Sequence, residues 1–320
     1  MSLLSIRDLS VDAPRGAGPA GALDGFDLDI GAGEHVALLG NRTSGIGLLQ
    51  ALLCPRREMK VQPARGTLWI QNEDEGRMSL SRALAARPGL IACADDDPVA
   101  ALEDTRPLRD LVLQRHARVR RHDRDRILEA FRMTFQGLSG DAAPDLTAPG
   151  SDLTRRERCV ASAAILFSRE PRLVVSRDPQ AMDPLHRTVY LSLVSTACRD
   201  RGTAHLVVTP LAGTAAGFSD RVAVVHMGRI VESGPTGDVL GAPRHPYTHL
   251  LRALDPGATR AGHRLACPEA ALPIAGIRPE GCSFHLRCPR ALAGCFLEVP
   301  ELVDAGGRQL ACHRPIGAHQ

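Results

Sequence analysis

The sequence almost lacks lysine. Of its 39 lysine and arginine residues only Lys60 is a lysine, so any chemistry that calls for an ammonium group has a single candidate. No run approaches the roughly 18 consecutive apolar residues that suggest a membrane-spanning helix. Nor does a basic segment, an apolar run and a small-residue cleavage site open the chain. A cytoplasmic protein is the expectation from these absences. Neither an internal repeat nor a long low-complexity tract is present. The net charge of +3 is small for 320 residues and argues for neither nucleic acid nor an anionic membrane as a bulk partner.

What is present is ordinary for a globular protein: 44% hydrophobic and 23% charged residues. The length exceeds one typical domain and predicts a large domain with an appendage. Nine cysteines in a cytoplasmic chain read as thiols or metal ligands rather than disulfides. Five of them follow residue 266, whereas Cys54, Cys93, Cys159 and Cys198 are scattered and read as core residues.

Short apolar runs predict strands at Leu3 to Leu9, Ala22 to Ile30 and His35 to Leu39, the last running into Gly40. Further runs at Arg172 to Ser176 and Ala204 to Thr209 have the character of buried parallel strands, with a helix from Pro184 to Arg199 between them. Val222 to Val225 and Arg229 to Glu232 flank a tight Met227-Gly228 turn. Leu108 to Leu138 has a helical pattern and carries Arg115, Arg118, Arg120, Arg121, Arg124 and Arg126. Interleaved acids and the absence of aromatics favour a solvated helix face there over a nucleic-acid patch. Strands alternating with helices predict an α/β core. From Gly234 the composition shifts to Pro, Gly, His and Cys, which marks a second module.

Several pieces together resemble the ATP-binding subunits of oligopeptide/dipeptide (and nickel) ABC importers. They are Ala22-Leu23-Asp24-Gly25 leading to Gly33-Glu34-His35-Val36-Ala37-Leu38-Leu39-Gly40, then Asp220-Arg221-Val222-Ala223-Val224 and Gly228-Arg229-Ile230-Val231-Glu232. Pro243-Arg244-His245-Pro246-Tyr247-Thr248 is the segment most particular to that group. The resemblance covers nearly the whole chain. It implies an ABC-type nucleotide-binding domain over 1–235, a P-loop NTPase core with an antiparallel β subdomain and a helical subdomain at about 98–170. A small cysteine-rich extension over 236–320 would follow.

The same resemblance exposes departures. In the phosphate loop G-x-x-x-x-G-K-[ST], backbone N–H groups cradle phosphates, lysine neutralises them and the hydroxyl binds Mg²⁺. Here the loop reads Gly40-Asn41-Arg42-Thr43-Ser44-Gly45-Ile46-Gly47, with both glycines but neither lysine nor hydroxyl at 46 and 47. Arg177 falls where the Mg²⁺-organising aspartate belongs. Asp178 falls at the catalytic glutamate, one methylene shorter, with a plain polar strand end as the competing reading. The L-S-G-G-Q signature becomes Leu153-Thr154-Arg155-Arg156-Glu157, and arginines cannot copy the close backbone approach of glycines. Pro210 occupies the switch-histidine position and can neither donate a hydrogen bond nor relay a proton. Asp96 falls at the Q-loop glutamine, and no adenine-stacking aromatic lies near Val11 to Ala13.

Cys282-x5-Cys288-x6-Cys295-x16-Cys312 matches the importer pattern in full. Four thiolates suit a tetrahedral metal or an iron–sulfur cluster. The resemblance implies a 4Fe-4S cluster on these positions, with zinc and free thiols as alternatives.

The family's activity is ATP hydrolysis coupled to transport. Its partners are a second ATP-binding subunit in a heterodimer, two membrane permeases and, indirectly, an extracytoplasmic substrate-binding protein. Its place is the cytoplasmic face of the inner membrane. With the Walker A lysine, Walker B aspartate and switch histidine all replaced, the expectation is a hydrolysis-deficient subunit coupling a partner ATPase to the permeases. The competing reading is a pseudo-ATPase scaffold or redox-responsive iron–sulfur module outside transport.

Overall fold

His35–Leu39 is a run of five residues, every one buried, and it forms the strand that runs into Gly40. The computed structural model describes residues 2–12, 23–40, 53, 63–72, 76–82, 89–94, 97–116, 119–256 and 279–317. Their strands are β1 (Ser2–Val11), β2 (Leu23–Gly31), β3 (His35–Leu39), β4 (Arg65–Asn72), β5 (Gly76–Ser79), β6 (Ile91–Cys93), β7 (Leu173–Arg177), β8 (Ala204–Thr209), β9 (Arg221–His226), β10 (Arg229–Pro235), β11 (Val303–Asp304) and β12 (Gln309–Leu310). The helices are α1 (Leu108–Gln114), α2 (Arg124–Ser139), α3 (Arg155–Phe167), α4 (Pro184–Arg201), α5 (Ala212–Phe218), α6 (Thr236–Gly241), α7 (Pro246–Ala253) and α8 (Gly294–Leu297).

The chain divides into two compact units. The first consists of Met1–Leu3, Gly31–Glu34 and Ile70–Leu206. In it β6 pairs parallel with β7, aligning Ile91, Ala92 and Cys93 with Leu173, Val174 and Val175. A helical core forms around Leu111, Ile127, Phe131, Phe135, Val160 and Ala164. The helical pattern expected over Leu108 to Leu138 is two helices rather than one. Arg115 caps α1, a short 3-10 turn at Arg121–Asp123 leads into α2, and α2 stops at Gly140 with φ +76°. That left-handed cap is the conformation glycine adopts without a Cβ penalty.

The second unit consists of Leu4–Ile30, His35–Trp69 and Val207–Gln320. Strand order within it runs β11-β12-β10-β9-β3. Strands β3 and β9 are parallel, whereas β9, β10, β12 and β11 pair antiparallel in succession. The β9–β10 turn is the expected Met227-Gly228, with φ +47° and +83°. Positive φ at both central residues matches the strand twist of a tight hairpin. Ala37, Leu39, Val222, Val224, Val231, Val239 and Tyr247 form this unit's core, against which Cys282, Phe284 and Cys295 also pack. The cysteine-bearing segment is thus built onto the sheet's core.

Candidate functional site

Of the expected phosphate loop only Gly40 is described, and its N–H donates to the Thr209 carbonyl at 3.1 Å. Asn41, Arg42, Thr43, Ser44, Gly45, Ile46 and Gly47, like Asp96 and Lys60, lie outside the described residues.

Strand β7 ends at Arg177, and Asp178 follows it into the interior with only 1% of its surface exposed. An Oδ1 of Asp178 lies 3.6 Å from Nε of Arg187 on α4. The carboxylate expected to act on water therefore faces a fixed cation. Two residues before Asp178, Ser176 Oγ meets His205 Nε2 at 2.7 Å, with both side chains wholly buried.

The expected signature stretch opens α3. Leu153 is buried, and Thr154 is the N-cap, whose Oγ1 accepts the Glu157 N–H at 3.3 Å. Glu157 Oε2 accepts in return from the Thr154 N–H at 2.8 Å and its hydroxyl at 2.7 Å. These bonds from Thr154 hold the Glu157 carboxyl below its usual range. This reciprocal pattern is a capping box, legible in the sequence as T-x-x-E and overlooked among the signature residues. Arg155 reaches Asp183 Oδ2 at 3.3 Å, and Arg156 is exposed. Asp183 in turn caps α4 through the His186 N–H at 3.1 Å. In this arrangement threonine and one arginine are occupied within their own subunit. Pro210, at the expected switch position, is exposed, and Thr209 Oγ1 accepts the Leu211 N–H at 3.0 Å beside it.

In the second unit Glu232 organises the chain after β10. It is fully buried and accepts N–H bonds from Arg244 and His245, both at 3.0 Å, and Arg308 at 3.2 Å. His245 Nδ1 accepts the Tyr247 N–H at 3.0 Å, and Pro246 at the first position of α7 needs no partner for its nitrogen. His226 packs edge-to-face against Tyr247 and Phe284, at 4.4 Å and 5.5 Å between ring centres. Burial pushes His226 and His245 down to about 3, so both are neutral at physiological pH.

Cys282 and Cys295 are buried, and Cys288 and Cys312 are partly so. The Cys282 N–H donates to the Cys295 carbonyl at 2.9 Å. Burial raises the Cys282 and Cys288 thiols and pushes Cys312 up to about 11, with the other three cysteines adding to the Cys312 shift. Cys282, Cys288 and Cys295 are thus electrostatic neighbours of Cys312. Among the described residues, however, no group of three or more His, Cys, Asp or Glu is arranged to hold a metal ion. Cys159 and Cys198 are buried thiols pushed up to about 11 and 12 by burial, as core residues would be. Cys93 is disulfide-bonded, against the thiol expectation; Cys54 and Cys267 lie outside the described residues.

Residues 231–295 match the family "Oligopeptide/dipeptide transporter, C-terminal region". That span holds Glu232, the Arg244–Thr248 segment and three of the four cysteines. The probable D,D-dipeptide transport ATP-binding protein DdpD of Escherichia coli is 28% identical, over 97% of this chain and 95% of its own length. The oligopeptide transport ATP-binding protein AppD of Bacillus subtilis is 26% identical, over 100% and 99%. Over nearly its whole length this chain is similar to ATP-binding proteins of dipeptide and oligopeptide transport. In fold it is similar to cbiO1 of Clostridium perfringens, part of the ABC transporter complex cbiONQ, with a TM-score of 0.55, 20% identity and coverage of 75% of this chain and 91% of that one.

Arg187, Asp183 and His186 are the residues of this site that sequence reasoning missed. Arg187 sits nine positions after Asp178 on a helix whose phase is fixed only once the Asp183 cap is placed. Glu232 was legible as part of Gly228-Arg229-Ile230-Val231-Glu232, but its role as acceptor for a loop 12 residues away was not.

Proposed function

We propose that this chain is an ATP-binding subunit of a peptide-type ABC importer that does not hydrolyse ATP at a site of its own and transmits the motion of a partner ATPase to the permeases. The observation that carries the reading is Asp178. Its buried carboxylate faces Arg187, and its neighbour at the metal-organising position is Arg177. A general base must be free to accept a proton from water, and a cation beside the metal position opposes Mg²⁺. Thr154 spends its hydroxyl in the capping box and Pro210 has no donor. The losses at Ile46 and Gly47 add to these, so each main electrostatic contribution to phosphoryl transfer is absent.

ATP would be held by the loop Gly40–Gly47 against the end of β3, through backbone N–H groups rather than an ammonium. The partners in this reading are a second ATP-binding subunit, two permeases and indirectly a substrate-binding protein. The chain would be peripheral at the cytoplasmic face of the membrane, and no helix among the described residues is long and apolar enough to cross one. The spacing of Cys282, Cys288, Cys295 and Cys312 and their electrostatic proximity support a 4Fe-4S or zinc site within this reading. Iron, acid-labile sulfide and zinc analysis after anaerobic purification decides it.

The functional test is nucleotide titration and turnover of the chain, alone and with its partner ATPase, with and without Mg²⁺. Binding without turnover is expected. Turnover by the chain alone that Asp178→Ala abolishes would overturn the proposal.

A further inference from the structure

Among the described residues, ten large hydrophobic side chains are exposed, and six fall between residues 286 and 303: Leu286, Leu292, Phe296, Leu297, Val299 and Val303. Leu297 is 73% exposed and Val303 52%, on a segment whose cysteines and Phe284 are packed into the core. Scattered surface apolar residues need no explanation, but such a concentration on a short folded segment marks an interaction surface.

Two further features say what fits there. The first is charge. Glu298, Glu301 and Asp304 alternate with these apolar residues along the chain, all three are exposed, and none makes an ion pair among the described residues. Asp304 bonds only backbone, accepting from Gly306 and Gly307 at 3.0 and 3.2 Å. The second is the sheet. Strand β11, Val303–Asp304, ends the strand order, so one of its edges meets no other strand among the described residues.

From these we infer that the Phe296–Asp304 segment is a docking surface for an extended stretch of a partner polypeptide in which apolar residues alternate with basic ones. The partner's apolar side chains cover Phe296, Leu297 and Val303, its cations meet the three carboxylates, and its backbone extends the sheet from β11. An anionic membrane is the wrong occupant, because the carboxylates would be repelled by its surface. The inference does not depend on whether the chain hydrolyses ATP.

The test uses the full chain and two labelled synthetic decapeptides, one of alternating Arg and Val and one of alternating Glu and Val, followed by fluorescence anisotropy. The Arg/Val peptide is expected to bind and the Glu/Val peptide not, with affinity falling as salt rises. Glu298→Gln/Glu301→Gln/Asp304→Asn is expected to weaken binding about fivefold or more, as three rim charges of a few tenths of a kcal/mol each would. Leu297→Ser, at an exposed site that leaves the fold intact, should weaken it too without changing the salt dependence. Equal binding of both peptides, or unchanged affinity in both variants, overturns the inference. So does capture by phosphatidylglycerol vesicles that the Arg/Val peptide does not compete, or self-association in sedimentation that Leu297→Ser abolishes and the peptide leaves intact.

Discussion

Asp178 Oδ1 lies 3.6 Å from Arg187 Nε, with the aspartate side chain fully buried and the arginine about one-fifth exposed. Removing one member of a buried pair strands the other charge and costs about 3–5 kcal/mol, whereas removing both costs far less. Arg187→Ala is therefore expected to lower the stability of this region by about 3 kcal/mol. Adding Asp178→Asn should recover much of that loss. Thermal unfolding of the two single variants and the double variant measures the coupling. If Asp178→Asn recovers nothing, the carboxylate is not held by Arg187 and is free for other work.

Thr154 links the fold to the altered signature. Its hydroxyl both accepts from the Glu157 N–H and donates to the Glu157 carboxylate, closing the start of α3. Thr154→Ala should cost about 1 kcal/mol, and Thr154→Ser should restore nearly all of it. A role in phosphate contact predicts a different pattern: Thr154→Ala would change nucleotide affinity and leave the melting temperature alone.

Much of this was legible in the sequence, and the reasons differ by residue. Buried strands such as β3, β7 and β8 announce themselves as short apolar runs because both faces are covered. The Met227-Gly228 turn was legible because few pairs tolerate two positive φ values. The break between α1 and α2 was not, since the apolar period continues across it and only the Gly140 cap marks an end. At the candidate site, the substitutions at 177 and 210 could be read by position alone. That Arg187 faces Asp178, or that Arg244, His245 and Arg308 converge on Glu232, depends on tertiary placement that no local period encodes.

Glu232 offers a test of how the family's Arg244–Thr248 segment is held. Three donors converge on a carboxylate with no exposed surface. Glu232→Ala leaves two backbone N–H groups and the Arg308 guanidinium without it, at a cost of about 3 kcal/mol. Hydrogen exchange should then quicken at Arg244 and His245 while the helical core around Phe131 is unchanged. Uniform protection across both segments would show that Glu232 is not the anchor.

His116 predicts how the first unit responds to acid. Burial first, and then the charge of Arg169, push it down to about 4, and its Nε2 meets Ser168 Oγ at 2.8 Å. A depressed folded-state value means the unfolded chain binds the extra proton between about pH 6.5 and about pH 4. The contribution is fully present above the unfolded value and is lost as pH falls through that window. His116→Gln should flatten the stability profile between pH 6.5 and 4 relative to the parent chain. An unchanged slope would mean that His116 titrates alike in both states.

The sharpest prediction concerns what lysine alone can restore. Ile46→Lys with Gly47→Thr returns the ammonium and the hydroxyl to the phosphate loop. Charge-assisted bonds of about 1.5–3 kcal/mol should tighten ATP binding by roughly 10- to 100-fold in calorimetric titration. On the proposed function turnover should stay at background, because Arg177 would oppose a metal there and Arg187 still faces Asp178. Adding Arg177→Asp should make the nucleotide affinity Mg²⁺-dependent before it makes the chain an enzyme, since Pro210 supplies no proton relay. Hydrolysis by Ile46→Lys/Gly47→Thr with Arg177 in place would place the whole deficit in the missing lysine and hydroxyl and remove the case that the loss is distributed over several stations.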